Sequence, residues 1–188
     1  MEYSLHSEFH EDHVIEAIIN KERWAQKHLY EEYYGVLMPI CQRYAENDQE
    51  AEDILHESFI KIFNNIENYE TNTSLKSWMS KIVVNTAIDN YRKNFKKKTV
   101  SLDHTYNIKG DEISVLQKMT IDDIIAAIQK LTDIYRTIFN MYVIEGYSHK
   151  EIANILKISE STSRSNLVKA RKKLKQILAA NEKIYVRK

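Results

Sequence analysis

The stretch from residue 146 to 174, GYSHKEIANILKISESTSRSNLVKARKKL, constrains the fold most, because two apolar sets with a helical period are separated by a very short break. Ile152, Ala153, Leu156 and Ile158 make the first set, and Leu167, Ala170 and Leu174 continue it. Between them Ser159 can cap a new helix, with Thr162 three residues on in place of the Glu of a full capping box. Ile158 is expected to pack under the turn. Ser161, Ser163, Arg164, Ser165, Val168 and Lys169 are expected to project outward or flank the exposed face. Two helices joined this tightly form a helix-turn-helix, which can lay the first half of its second helix in a DNA major groove. The same residues also suit an ordinary amphipathic hairpin whose Lys and Arg only solvate one face.

Charge distribution favours the first reading. From Lys150 to Lys188 there are eleven Lys or Arg against three acidic residues, although the whole chain has a formal net charge of zero. The neutral total hides a polarised molecule, and a basic end suits a polyanion.

With three Gly and one Pro in 188 residues, the chain has little turn material for a many-stranded fold, and its Glu, Lys, Ile, Leu and Ala patterns favour helices. An all-α protein is expected. Cys41 is the sole cysteine, so no internal disulfide can form, and its apolar setting reads as a small buried residue. The first thirty residues are acidic without a continuous apolar segment, and no eighteen apolar residues run together. A soluble, cytoplasmic protein without membrane insertion is the expectation.

Tyr3 to His13 reads as a weakly structured start. From Val14 a helical pattern runs through Ile15, Ile18 and Ile19, then Trp24, His28, Tyr33, Leu37, Ile40 and Tyr44, with Pro39 expected to kink or end part of it. Ile54, Leu55, Phe59, Ile62, Phe63 and Ile66 define a helix over about 49–68, with Glu50, Glu52 and Asp53 in its first turns, where the helix dipole favours acids. Asp53 and Glu57 share a face and can also meet a basic partner surface. After a polar stretch, Ser74 can cap a helix seamed by Leu75, Trp78, Met79, Ile82 and Val83, with Trp78 a core residue. Residues 81–98 then hold six positive charges and one negative, a second basic region far from the first.

The period breaks from Thr99 to about Lys118, the best linker candidate. A second unit begins near Thr120, seamed by Ile121, Ile124, Ile125, Ile128 and Leu131, then Ile134, Phe139, Tyr142 and Val143. It should pack beneath the helix-turn-helix. The architecture expected is two small helical domains joined by a flexible linker: 14–98, a linker over 99–118, and 119–180 containing the helix-turn-helix.

Three segments in this order resemble the extracytoplasmic-function group of bacterial sigma-70 factors: DQEAEDILHESFIKIFNNIENYE, SLKSWMSKIVVNTAIDNYRK, and the 146–174 stretch. A lone helix-turn-helix occurs in many regulators, whereas the order and spacing of all three are far more specific. The resemblance implies a first domain that docks on core RNA polymerase through Asp53 and Glu57. It places Asn68, Asn85, Asp89, Asn90 and Arg92 on or beside a surface that reads the minus-10 element, with the 68–75 loop capturing an unstacked base and Trp78 in the supporting helix. It implies that the linker travels through polymerase toward the RNA exit path. In the second domain it implies minus-35 contacts from Arg164, Ser165, Val168 and Lys169, phosphate contacts from Arg171 and Lys172, and a contact with the polymerase flap. Lys157 stands where many members have Gly, and Ser163 where an apolar residue is common.

The implied partners are core RNA polymerase, bipartite promoter DNA and an anti-sigma factor, with a nucleoid association when active. No nucleotide-phosphate loop, catalytic acid pair or metal-ligand cluster argues for an enzyme, so no cofactor, metal or catalytic residue is expected. A conventional helix-turn-helix regulator and a helical protein-binding adaptor are the competing readings.

Overall fold

The computed structural model describes residues 11–70, 73–98 and 120–185, with side chains over 11–70, 73–94 and 120–180; the linker segment lies outside the described residues. The described chain is helical: α1 (Glu11–Ile19), α2 (Arg23–Tyr44), α3 (Asp48–Asn65) with a closing turn at Ile66–Asn68, α4 (Leu75–Lys98), α5 (Ile121–Gln129), α6 (Asp133–Phe139), a π-helical turn (Asn140–Ile144), α7 (His149–Leu156) and α8 (Glu160–Tyr185). Helices α1–α4 make one cluster and α5–α8 the other, as the apolar periods require.

The pattern read as starting at Val14 is two helices. They part at Lys21, which takes a left-handed φ of 61°. Pro39 does not end α2, which continues to Tyr44. Losing one backbone bond inside a helix costs about 3 kcal/mol, and burial of Leu37, Cys41 and Tyr44 around the proline offsets it. Helix α3 starts on Asn47, whose side chain accepts from the Glu50 amide at 2.9 Å, while Glu50 reaches back to the Glu46 amide at 2.7 Å. Ser74 caps α4 by accepting from the Ser77 amide at 3.3 Å. Leu75, Met79 and Val83 are buried, with Trp78 partly buried against them.

Thr120 and Asp123 close a reciprocal capping box on α5. Its seam is narrower than the sequence suggests: Ile125, Ile128 and Leu131 are buried, Ile121 is 74% exposed and Ile124 38%. Ala127 takes the inner position instead. In α6 and the π turn the expected seam also shifts. Val143 is exposed, while Arg136, Thr137, Ile138, Asn140 and Met141 face inward. Two effects cause this: the π turn advances the register by one residue, and polar groups with partners pack as readily as apolar ones.

The two clusters touch. One continuous buried set runs from Val14 in α1 to Leu167 in α8, and a smaller one gathers Ala127, Ile128, Leu131 and Leu174.

Candidate nucleic-acid interface

Ser148 and Glu151 form a capping box that starts α7, and α7 ends at Lys157 in left-handed geometry, φ 58° and ψ 44°. That residue lets the chain reverse within two positions, so the Ile158 amide reaches the Ala153 carbonyl at 3.1 Å and Ile158 tucks partly under the turn. Ser159 then starts α8, its hydroxyl accepting from the Thr162 amide at 3.0 Å.

Ser163 points inward, against the expectation that it flanks the exposed face. It is fully buried, and its hydroxyl lies 2.9 Å from His149 Nδ1. A residue this small lets α8 approach α7 closely, and the imidazole satisfies the hydroxyl that would otherwise be stranded. Tyr142 stacks on the His149 ring at 4.3 Å, and the Arg171 guanidinium lies 5.9 Å from the Tyr142 ring centre. Burial, and then the Arg164 charge, hold the His149 pKa below its ordinary value, so the ring stays neutral near pH 7.

Ser163, Leu167, Ala170 and Leu174 recur at spacings of four, three and four and form the buried stripe of α8. Arg164, Ser165, Val168, Lys169, Arg171 and Lys172 all lie off that stripe and are exposed, Val168 at 66%. Arg164 pairs with Glu160 at 3.1 Å, one turn earlier, and the Ser165 hydroxyl donates to the Thr162 carbonyl at 3.1 Å.

The first cluster is arranged differently. Asp53 is exposed and accepts from Gln49 at 3.4 Å. Glu57 binds Lys61 at 3.1 Å and Lys93 at 3.3 Å, tying α3 to α4, and chiefly the Lys61 bond holds its pKa below the usual carboxylate value. Ile60, 61% exposed, shares this face one turn on. Asn68 is exposed at the end of the turn after α3. On α4, Asn85, Asp89 and Arg92 share one side, with Asp89 and Arg92 paired at 3.3 Å. Asn90 is not brought together with them. It lies on another side of the helix, where its amide and that of Asn94 donate to Glu50 at 2.8 and 3.2 Å. Among the described residues no three His, Cys, Asp or Glu gather as a metal site, and no helix is long and apolar enough to cross a membrane.

Two family models match this chain, "Sigma-70 region 2" over residues 29–96 and "Sigma-70, region 4" over residues 121–174, in the order of the two helical clusters. The chain belongs to the sigma-70 family, in its extracytoplasmic-function group. Such a sigma factor is non-catalytic and directs RNA polymerase to promoter DNA through its region 2 and region 4 domains. The chain is similar to the ECF RNA polymerase sigma factor SigM of Bacillus subtilis, 26% identical over 151 residues, 79% of this chain and 92% of the relative. It is 29% identical over 162 residues to SigW of the same organism, covering 78% of this chain and 84% of the relative. Among solved structures, CnrH in complex with the cytosolic domain of CnrY aligns with a TM-score of 0.44 at 15% identity, over 89% of this chain and 96% of that one, too loose a likeness to carry weight.

Several bonds that shape this sigma factor's surfaces went unread in the sequence: those of Glu50, Lys61 and Lys93 that tie α3 to α4, and the His149–Ser163 pair inside the helix-turn-helix. For Ser163 a signal existed, since it sits four residues before Leu167 on the apolar stripe.

Proposed function

We propose that the chain reads a bipartite promoter in complex with core RNA polymerase, with α8 on the minus-35 element and the exposed side of α4 near the minus-10 element. The observation that carries this is α8 itself: six polar or contact-forming side chains from Arg164 to Lys172 stand exposed opposite a stripe buried in the cluster. A rigid helix so presented fits a major groove. Arg164 suits guanine O6 and N7, Val168 a thymine methyl, and Arg171 and Lys172 the phosphates. Ser165 spends its proton on Thr162 and offers lone pairs to a base amino group.

In the first cluster Asp53 and Glu57 face the polymerase clamp. Asn68, Asn85, Asp89 and Arg92 line the minus-10 surface, where binding an unpaired base offsets part of the cost of opening the duplex. Asn90 supports that surface from behind through Glu50. The domain limits are 14–98 and 119–180, with region 4 also meeting the flap. The protein works in the cytoplasm at the nucleoid, and an anti-sigma factor is a fitting regulator for a sigma factor of this group.

Footprinting of the reconstituted holoenzyme on a promoter tests this reading. Two protected patches are expected, with Arg164→Ala losing the upstream one alone. A single patch, or loss of both with Arg164→Ala, contradicts it. Replacing Asp53 with Lys is expected to weaken core binding while helicity holds, as read by core titration beside circular dichroism; equal loss of helicity assigns Asp53 a structural role.

A further inference from the structure

Arg164 and Arg171 each follow a buried position of the α8 stripe, Ser163 and Ala170, so they stand on one side of the helix, two turns apart. Their guanidinium groups are held in different ways. Arg164 pairs with the Glu160 carboxylate one turn earlier at 3.1 Å. Arg171 has no carboxylate partner among the described residues, and its guanidinium carbon lies 5.9 Å from the centre of the Tyr142 ring, within reach of a cation–π contact. Among the described residues no other cation of α8 has a ring beneath it.

That ring is itself fixed. Tyr142 belongs to the π turn and is part-buried, and it stacks on His149 with ring centres 4.3 Å apart and planes 22° apart. His149 opens α7, and its Nδ1 meets the buried Ser163 hydroxyl at 2.9 Å. The contacts leave α8 at Ser163, pass through α7 and the π turn, and return to α8 at Arg171, about 12 Å farther along the helix. Burial keeps the imidazole neutral near pH 7, so the stack sets no second cation beneath the guanidinium.

How a guanidinium is held decides what it can still bind. An ion pair spends part of the N–H edge, the same edge that meets phosphate or guanine, so Glu160 competes with DNA for Arg164. A ring holds the flat face instead, which leaves the five N–H groups for phosphate oxygens. Arginine loses much rotamer freedom when it is pinned to a phosphate, and a ring that already confines it lowers that cost. Tyr142 therefore prepares Arg171 for DNA without competing for it.

We infer that Tyr142, steadied by His149, is a positioning residue for the upstream promoter contact and holds the Arg171 guanidinium ready for a DNA phosphate. The consequence rests on the proposed promoter reading, while the hold on Arg171 is measurable in the free chain.

NMR relaxation of the Arg171 Nε–Hε group in the free full-length protein reads the hold. Order on the ps–ns scale is expected, lost in Tyr142→Leu and kept in Tyr142→Phe, which retains the ring. Holoenzyme binding to a promoter fragment that it transcribes, followed against salt, reads the consequence. Arg171→Ala is expected to reduce the slope of log affinity against log salt by roughly 0.9, the share of one duplex phosphate. Tyr142→Leu is expected to weaken binding about 2–5-fold, the size of an exposed cation–π contact, with Tyr142→Phe rescuing it. In the Arg171→Ala background Tyr142→Leu is expected to cost nothing further. A loss that persists in that background, or that comes with a fall in helicity by circular dichroism, makes Tyr142 structural and overturns the inference. An Arg171 equally mobile with and without the ring also overturns it. An ordered Arg171 whose removal changes neither slope nor affinity overturns the phosphate contact and the positioning role with it, a failure of the promoter reading rather than of the hold.

Discussion

The two helical clusters expose polar surfaces of opposite character. On α3 and α4, functional candidates are tied to one another: Glu57 to Lys61 and Lys93, Asp89 to Arg92, Asn90 to Glu50. On α8, Lys169 and Lys172 stand open, and the firm order lies beneath them, in the Ser163–Leu174 stripe and the His149–Ser163 bond. A braced surface couples recognition to folding, because removing one side chain loosens two helices. An open face on a rigid helix separates them. On the proposed reading, contacts from α8 can therefore vary at little cost to stability, whereas those from Asp89 and Arg92 on α4 cannot.

The junction between the clusters should respond most. Arg136→Ala strands the Tyr44, Gln129 and Leu131 carbonyls and leaves a cavity, and is expected to cost roughly 3–5 kcal/mol. Urea unfolding measures it, and a loss below about 1 kcal/mol would show water serving those carbonyls equally well. Next comes Arg164→Ala, expected to weaken minus-35 binding by about 1–3 kcal/mol while the unfolding midpoint stays put. A matching fall in stability would erase the contrast between the clusters.

Glu57→Gln should do both things at once. It weakens the α3–α4 brace by about 0.5–1 kcal/mol, since the group is 39% exposed, and lowers core affinity. Smallest is Lys157→Gly, expected to raise stability by about 0.5–1 kcal/mol, because the left-handed turn costs a side chain that glycine lacks. No gain in midpoint would mean the Lys157 side chain compensates by its own contacts.

Acid separates the clusters in a second way. The His149 pKa lies below its ordinary 6.5, so the unfolded chain binds the proton first, and the stability the neutral ring contributes is lost as pH falls below about 6.5. The Glu57 pKa lies below its ordinary 4.5, so its contribution persists until pH falls into the carboxylate range. Hydrogen exchange followed against pH should show α7–α8 loosening before α3–α4, and simultaneous loosening would contradict these assignments.

Apolar periods made most of this fold legible. Ile54, Leu55, Phe59 and Ile62 announced α3, and Leu167, Ala170 and Leu174 announced the inner side of α8 and so the face opposite it. Periodicity was blind where polar residues turn inward. Arg136 finds its carbonyl 92 residues away, and Asn140 finds one 97 residues away, distances at which local spacing holds no information. The π turn added to this by shifting the register after Phe139. Asn90 shows a related limit at the site: the resemblance implied a place on or beside one surface with Asp89 and Arg92, but one residue along a helix is a turn of about 100°, and its amide donates to Glu50 instead.

Transcription by core polymerase supplied with this chain, on a library of promoter fragments, tests the central claim most directly. Transcripts are expected only with the chain present, from templates sharing two short elements about 25 base pairs apart, centre to centre, with Arg164→Ala relaxing preference at the upstream element alone. Core polymerase that neither binds the chain nor gains promoter-dependent transcripts from it would contradict the account.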